Sequence, residues 1–174
     1  KRYGKPDARG QIKDRTRIAQ RPTVVEEKSR IGDWEIDLVM GGKGQGALVS
    51  LVERRSRYTL LGKVASKQAE EVASKTIGLL APHKEYTETS TADNGKEFAH
   101  HTAISQALDA AVYFAHPYHA WERGLNENTN GLIRQYVPKG TAVDSLSEEQ
   151  VHHIRDRLNH RPRKGLAFET HMRS

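Results

Sequence analysis

Residues 33–40 restrict the fold of this chain more than any other stretch. Trp34, Ile36, Leu38 and Met40 alternate with Asp33, Glu35, Asp37 and Val39, and a period of two is the signature of a strand with unlike faces. Gly41–Gly46 then supplies a glycine-rich turn. A second strand is expected over Ala47–Glu53 and a third over Tyr58–Val64, joined by the polar turn Arg54–Arg57. Together they predict a three-strand meander.

The period changes after the meander. Val72, Ala73, Thr76, Ile77 and Leu80 predict a helix over 67–81, stopped by Pro82. A short strand, Thr87–Ala92, ends at Asp93, and a helix from Phe98 to Asp109 carries Ile104, Ala107 and Leu108 inside. Ala111–Ala115 reads as a strand, 116–123 as a loop, and 124–137 as a helix ending at Pro138. Ser147 and Gln150 have the spacing of a capping box, opening a last helix with Val151, Ile154 and Leu158 inward. The order β-β-β-α-β-α-β-α-α is that of an α/β fold: one mixed, five-stranded sheet flanked by helices.

Charge divides the chain unevenly. Residues 1–30 hold ten Lys and Arg against four acids, which accounts for the whole net charge of +6 in 174 residues. Residues 1–23 have few apolar side chains and no helical stripe, so 1–28 is expected to be a basic arm and 29–174 the folded core. A basic arm on a neutral body points to a polyanion, with nucleic acid the usual one. The absence of cysteine excludes disulfides, thiolate-bound zinc and a thiol nucleophile. No apolar run approaches the roughly 18 residues of a membrane span. With no secretion pattern at the N-terminus, the cytoplasm is the expected compartment.

Three acids stand where strand ends and a helix can bring distant carboxylates together. Asp37 lies within the first strand, Asp93 just past a later strand and before the turn signal Asn94-Gly95, and Glu127 near the start of a helix. Such a cluster repels itself unless a cation is shared, and oxygen ligands suit hard Mg²⁺ or Mn²⁺. Spacing alone leaves other choices among 22 acids. Asp33 and Glu35 share a strand face with Asp37, while Glu97 and Glu122 read as a helix-start and a loop carboxylate.

The flanking residues narrow the choice. Gly32-Asp33-Trp34-Glu35-Ile36-Asp37, Leu51–Arg57, Asp93-Asn94-Gly95-Lys96-Glu97-Phe98, Tyr113–Tyr118, Trp121–Gly124, Asn126–Gly131, Pro138-Lys139-Gly140 and Asn159–Lys164 occur in order over 21–170. In these motifs the chain resembles the bacterial transposases of the insertion-sequence-thirty family.

The resemblance implies an RNase H-like, integrase-type catalytic core with an Asp-Asp-Glu triad at Asp37, Asp93 and Glu127. The triad would act as the metal ligands, taking Mg²⁺ or Mn²⁺, two ions when DNA is bound. Thirty-three residues separate Asp93 from Glu127, and Arg134 stands where such enzymes often carry a basic residue seven positions after the glutamate. Seven residues are nearly two helical turns, so Glu127, Asn130 and Arg134 share a face.

Arg134, Lys139 and Lys96 are the expected phosphate contacts, with Trp121 and Asn126 as further DNA contacts. The implied activity is metal-dependent DNA cleavage and strand transfer on transposon ends and target, in the bacterial cytoplasm at the nucleoid, with a homodimer formed on DNA. The chain lacks the helix-turn-helix region expected of a full transposase and stops at Ser174, so a catalytic-core fragment is expected. A related RNase H-fold nuclease, a retroviral-type integrase core and a degenerate DNA-binding domain stay open as alternatives.

Overall fold

The computed structural model describes residues 14–116 and 124–160. The meander forms as expected: β2 (Asp33–Met40) pairs antiparallel with β3 (Ala47–Glu53), and β3 with β4 (Thr59–Val64). Its first turn is closed by Gly41 N–H donating to Gly46 O at 2.9 Å. Gly46 has φ +82, and a Cβ there would stand 2.8 Å from Val64 O, so glycine is required on two counts.

Helix α2 (Ala69–Leu80) stops before Pro82, and a 3₁₀ turn over Ala81–Tyr86 leads to β5 (Thr89–Ala92). Helix α3 begins at His101 and not at Phe98, because Lys96–Phe98 coils as a separate 3₁₀ turn; it runs to Leu108. Asp109, at φ 50, then reverses the chain into β6 (Ala111–Phe114). Helix α4 covers Gly124–Tyr136 and α5 Glu148–Asn159. The capping box of α5 is complete: Gln150 N–H donates to Ser147 Oγ, and Ser147 N–H to Gln150 Oε1.

The two faces of β2 select the two helical layers. Trp34 and Ile36 join Leu51, Val72, Leu80, Phe98, Ile104, Leu108 and Phe114 in one core under α2 and α3. Val39 joins Leu48, Leu61, Ile133, Val137, Val151, Ile154 and Leu158 in a second core under α4 and α5. At about 25 cal/mol per Å² of apolar surface, each large side chain buried in these layers contributes roughly 1.5–3 kcal/mol. Asn159 locks the last helix to the edge strand, its side chain accepting from Thr59 N–H and donating to Thr59 O, both at 2.8 Å.

The sheet has six strands where five were expected, in the order β1-β6-β5-β2-β3-β4. The extra strand, β1, is Thr16–Arg17, parallel to Tyr113 and Phe114 of β6. Two residues in a basic stretch are too short to show a period, so sequence patterning misses them. After β1 come a 3₁₀ turn at Ile18–Gln20 and α1 (Thr23–Glu27). Ile18 is 8% exposed, Arg21 7% and Val25 0%. Residues 14–28, which the composition marks as part of an arm, are thus built onto the sheet.

Candidate active site

The sheet sets two aspartates level with each other. In the parallel pairing of β2 with β5, Glu35 stands opposite Thr91. Two residues further along each segment come Asp37 and Asp93, the latter one past the end of β5. Asp37 lies on the α4 side and is half-buried. Its Oδ1 accepts from Leu38 N–H at 2.8 Å, and its Oδ2 accepts from Asn130 Nδ2 at 2.7 Å. Asp93 Oδ1 accepts from Gly95 N–H at 2.8 Å, an Asx turn that fixes the carboxylate at the strand end.

Glu97 follows shortly after Asp93. It is half-buried in the turn after Asp93, and burial pushes its carboxyl above the ordinary range. Asp93 and Asp37 push it further up, while its own backbone N–H and Lys67 pull it down. The motif reading treats Glu97 as a helix-start residue, and it lies in the 3₁₀ turn Lys96–Phe98 ahead of α3.

Asn130 carries the α4 side of the site. Glu127 lies one turn earlier on the same helix and is exposed. Bonding of Asn130 to Asp37 turns the Glu127 face of α4 toward β2. Asn130 Oδ1 is buried without a hydrogen-bond partner, and so is the Oγ of Ser50, which pairs with Asp37 across β2 and β3. Among the described residues, no three acidic, histidine or cysteine side chains stand close enough together to enclose a metal ion. Asp37 and Asp93 follow the β2–β5 ladder at matching positions, and Glu127 lies on the helix bonded to Asp37 without joining them in such a group.

The expected basic contacts are spread around this region. Arg134 is half-buried on α4, with Nη1 donating to Val137 O at 3.4 Å. Lys139 is exposed after α4, and Lys96 is exposed in the turn that follows Asp93. Asn126 is on α4, but its side chain lies outside the described residues, as does the whole of Trp121.

The other acids of β2 have different surroundings. Glu35 is fully buried, paired with Arg54 and 3.6 Å from Arg21. Asp33 is 1% exposed, bonded to Arg30 Nε at 2.9 Å and Nη2 at 3.0 Å, and accepts from Thr89 Oγ1 at 2.8 Å. Glu53, also buried, accepts from the N–H groups of Arg55 and Ser56, while burial pushes its carboxyl up.

Among the described residues, no helix is long and apolar enough to cross a membrane. The chain matches no protein-family model. It is 45% identical over 170 residues to the transposase for insertion sequence element IS4351 of Bacteroides fragilis, covering 98% of this chain and 52% of that protein. Transposase InsI for insertion sequence element IS30A of Escherichia coli K12 is 36% identical over 173 residues, 98% of this chain and 45% of its own length.

The chain therefore spans about half the length of the curated relatives it matches. In fold it is similar to a chain of the simian T-cell lymphotropic virus intasome in complex with PP2A regulatory subunit B56 gamma. The TM-score is 0.60 at 18% identity, over 75% of this chain and 49% of that one. The likeness agrees with an RNase H-like arrangement of the mixed sheet. Over nearly its whole length the chain is similar in sequence to insertion-sequence transposases, members of the insertion-sequence-thirty family among them.

Proposed function

We propose that this chain is the catalytic core of a DNA transposase, cutting one DNA strand and joining the freed 3′-hydroxyl to target DNA, with Asp37, Asp93 and Glu127 as its catalytic acids. The observation that carries the reading is the bond from Asn130 to Asp37, which ties the helix bearing Glu127 to the strand beside Asp93. Kinship with insertion-sequence transposases supports the same choice.

The donors fit Mg²⁺ or Mn²⁺. The three acids offer only hard oxygen ligands, and the unpartnered Oδ1 of Asn130 and Oγ of Ser50 beside Asp37 suit a polar, hydrated occupant. Asp37, Asp93 and Glu127 would hold such a cation, which when bound would supply activation of water and stabilisation of charge on the leaving oxygen. Asp37 is oriented for this by Leu38 N–H and the Asn130 amide, and Asp93 by Gly95 N–H. Glu127 supplies the third carboxylate from α4.

Arg134, Lys139 and Lys96 bind phosphates flanking the cut, with Trp121 stacking on an unpaired base and Asn126 contacting DNA at the start of α4. These contacts are charge-dominated, so affinity falls steeply with salt. Two copies act together on two transposon ends. The reading is tested by incubating the protein with Mn²⁺, a labelled oligonucleotide carrying a free 3′-hydroxyl and a target plasmid. Joined product is expected from wild type and none from Asp93→Asn or Glu127→Gln. Equal product from Asp93→Asn would overturn the assignment.

A further inference from the structure

The stretch from Arg15 to Glu27 crosses the strands that carry the two aspartates. Arg15 Nη1 donates to Asn94 Oδ1 at 2.6 Å, and the same Asn94 side chain donates through Nδ2 to Ala115 O at the end of β6. Ala115 N–H in turn donates to Ala92 O at 2.9 Å. The residue after Asp93 is therefore held from both sides. Further along, Arg21 donates to Thr91 Oγ1 at 2.9 Å and lies 3.6 Å from Glu35. Thr91 and Glu35 are the residues two before Asp93 and Asp37. Arg54 Nε donates to Val25 O at 3.1 Å, so the turn after β3 anchors the same stretch.

From these contacts we infer that Arg15 is a positioning residue for Asp93, acting through Asn94, and that residues 14–28 form a strap belonging to the catalytic unit. The argument is geometric. Asp93 stands past the last ladder position of β5, where the strand no longer fixes it. Gly95 N–H orients its carboxylate, and the turn containing Gly95 is held by the two bonds of Asn94. One of these two partners comes from a segment 79 residues away. Removing the guanidinium frees Asn94 on that side and lets the turn that orients Asp93 drift.

Charge and position make opposite predictions, which allows them to be separated. As a cation near a carboxylate cluster, Arg15 repels a bound metal ion, so deleting its charge should tighten binding. As a positioning group it favours binding, so deleting it should weaken binding, by about tenfold on the scale of groups that hold metal ligands in place.

This inference rests on the proposed cation site, and the test keeps the two apart. Mn²⁺ alone is titrated calorimetrically into the full chain as wild type, Asp93→Asn, Arg15→Ala, Arg15→Lys and Arg17→Ala, with the metal-free melting temperature of each recorded. Arg17 sits two residues on in β1, so Arg17→Ala controls for lost charge. The expected result is roughly tenfold weaker Mn²⁺ binding in Arg15→Ala, largely restored in Arg15→Lys, which keeps a donor for Asn94. Arg17→Ala is expected to be unchanged or tighter.

Loss of binding in Asp93→Asn with wild-type binding in Arg15→Ala would overturn the positioning role alone. Wild-type binding in Asp93→Asn would overturn the site itself. If Arg15→Ala fails to fold, Arg15→Lys and Asn94→Ala carry the test, and wild-type affinity in Asn94→Ala would refute the linkage.

Discussion

Asp33 and Glu35 stand on the same face of β2 as Asp37, yet their partners differ in kind. Asp33 is clamped by Arg30 and Thr89, and Glu35 is sealed against Arg54 and Arg21. Asp37 accepts from a backbone N–H and from the Asn130 amide. Both of these donors are neutral, whereas the donors to Asp33 and Glu35 include arginines. The contrast separates two uses of an acid on one strand. The first pair holds the fold together through arginines, and Asp37, at the strand position level with Asp93, is held by a backbone N–H and an amide. Period-two patterning treats all three alike, because it sees the face and not the partner.

The largest effect is expected from breaking the arginine-paired end. Arg54→Met strips the fully buried Glu35 of its Arg54 partner. Stripping one partner from a buried pair costs about 3 kcal/mol or more. Urea unfolding should show that loss with little change in slope, whereas Asp37→Asn should leave the metal-free midpoint unchanged or raised, since it relieves repulsion with Asp93. A loss in Asp37→Asn as large as in Arg54→Met would erase the distinction.

A smaller effect should come from Glu97, whose carboxyl is raised above the ordinary value of 4.5 first by burial and then by the two aspartates. The folded state then holds its proton more tightly than the unfolded state does. The resulting stability is fully present below pH 4.5 and is lost as pH rises through the folded value. Glu97→Gln should therefore be more stable than wild type at pH 7, by less than about 1 kcal/mol given its partial exposure. That margin should close on acidification toward pH 4.5. Melting curves across this range measure it, and a margin that widened with acid would reverse the sign of the coupling.

Much of this was legible in the sequence, for physical reasons. Strands β2 to β4 announce themselves as short apolar or alternating runs bounded by the turns at 41–46 and 54–57, and α5 because Ser147 and Gln150 satisfy each other locally. Asp37, Asp93 and Glu127 are proposed from their flanking motifs. The strap was not legible. Its contacts join Arg15 to Asn94 and Arg21 to Thr91 across 79 and 70 residues, and a local window sees only a run of cations. Part of the charge that suggests a DNA-binding arm is consumed inside the fold by Glu26, Asp33 and Glu35. Asn130 was placed on the Glu127 face by helical spacing, but its bond to Asp37 depends on how α4 meets the sheet.

In the proposed site Asp37, Asp93 and Glu127 share a cation and Asp33 does not. Melting temperatures of wild type, Asp37→Asn, Asp93→Asn, Glu127→Gln and Asp33→Asn, each with and without Mn²⁺, test it most directly. An ion that binds only the folded state adds about 2.7 kcal/mol at a hundredfold excess over Kd. Wild type and Asp33→Asn should rise together with Mn²⁺, even though Asp33→Asn starts lower for want of its Arg30 pair. Asp37→Asn and Asp93→Asn should scarcely rise, and Glu127→Gln should fall between. Equal Mn²⁺ responses in all five proteins would mean that these acids hold no common ion.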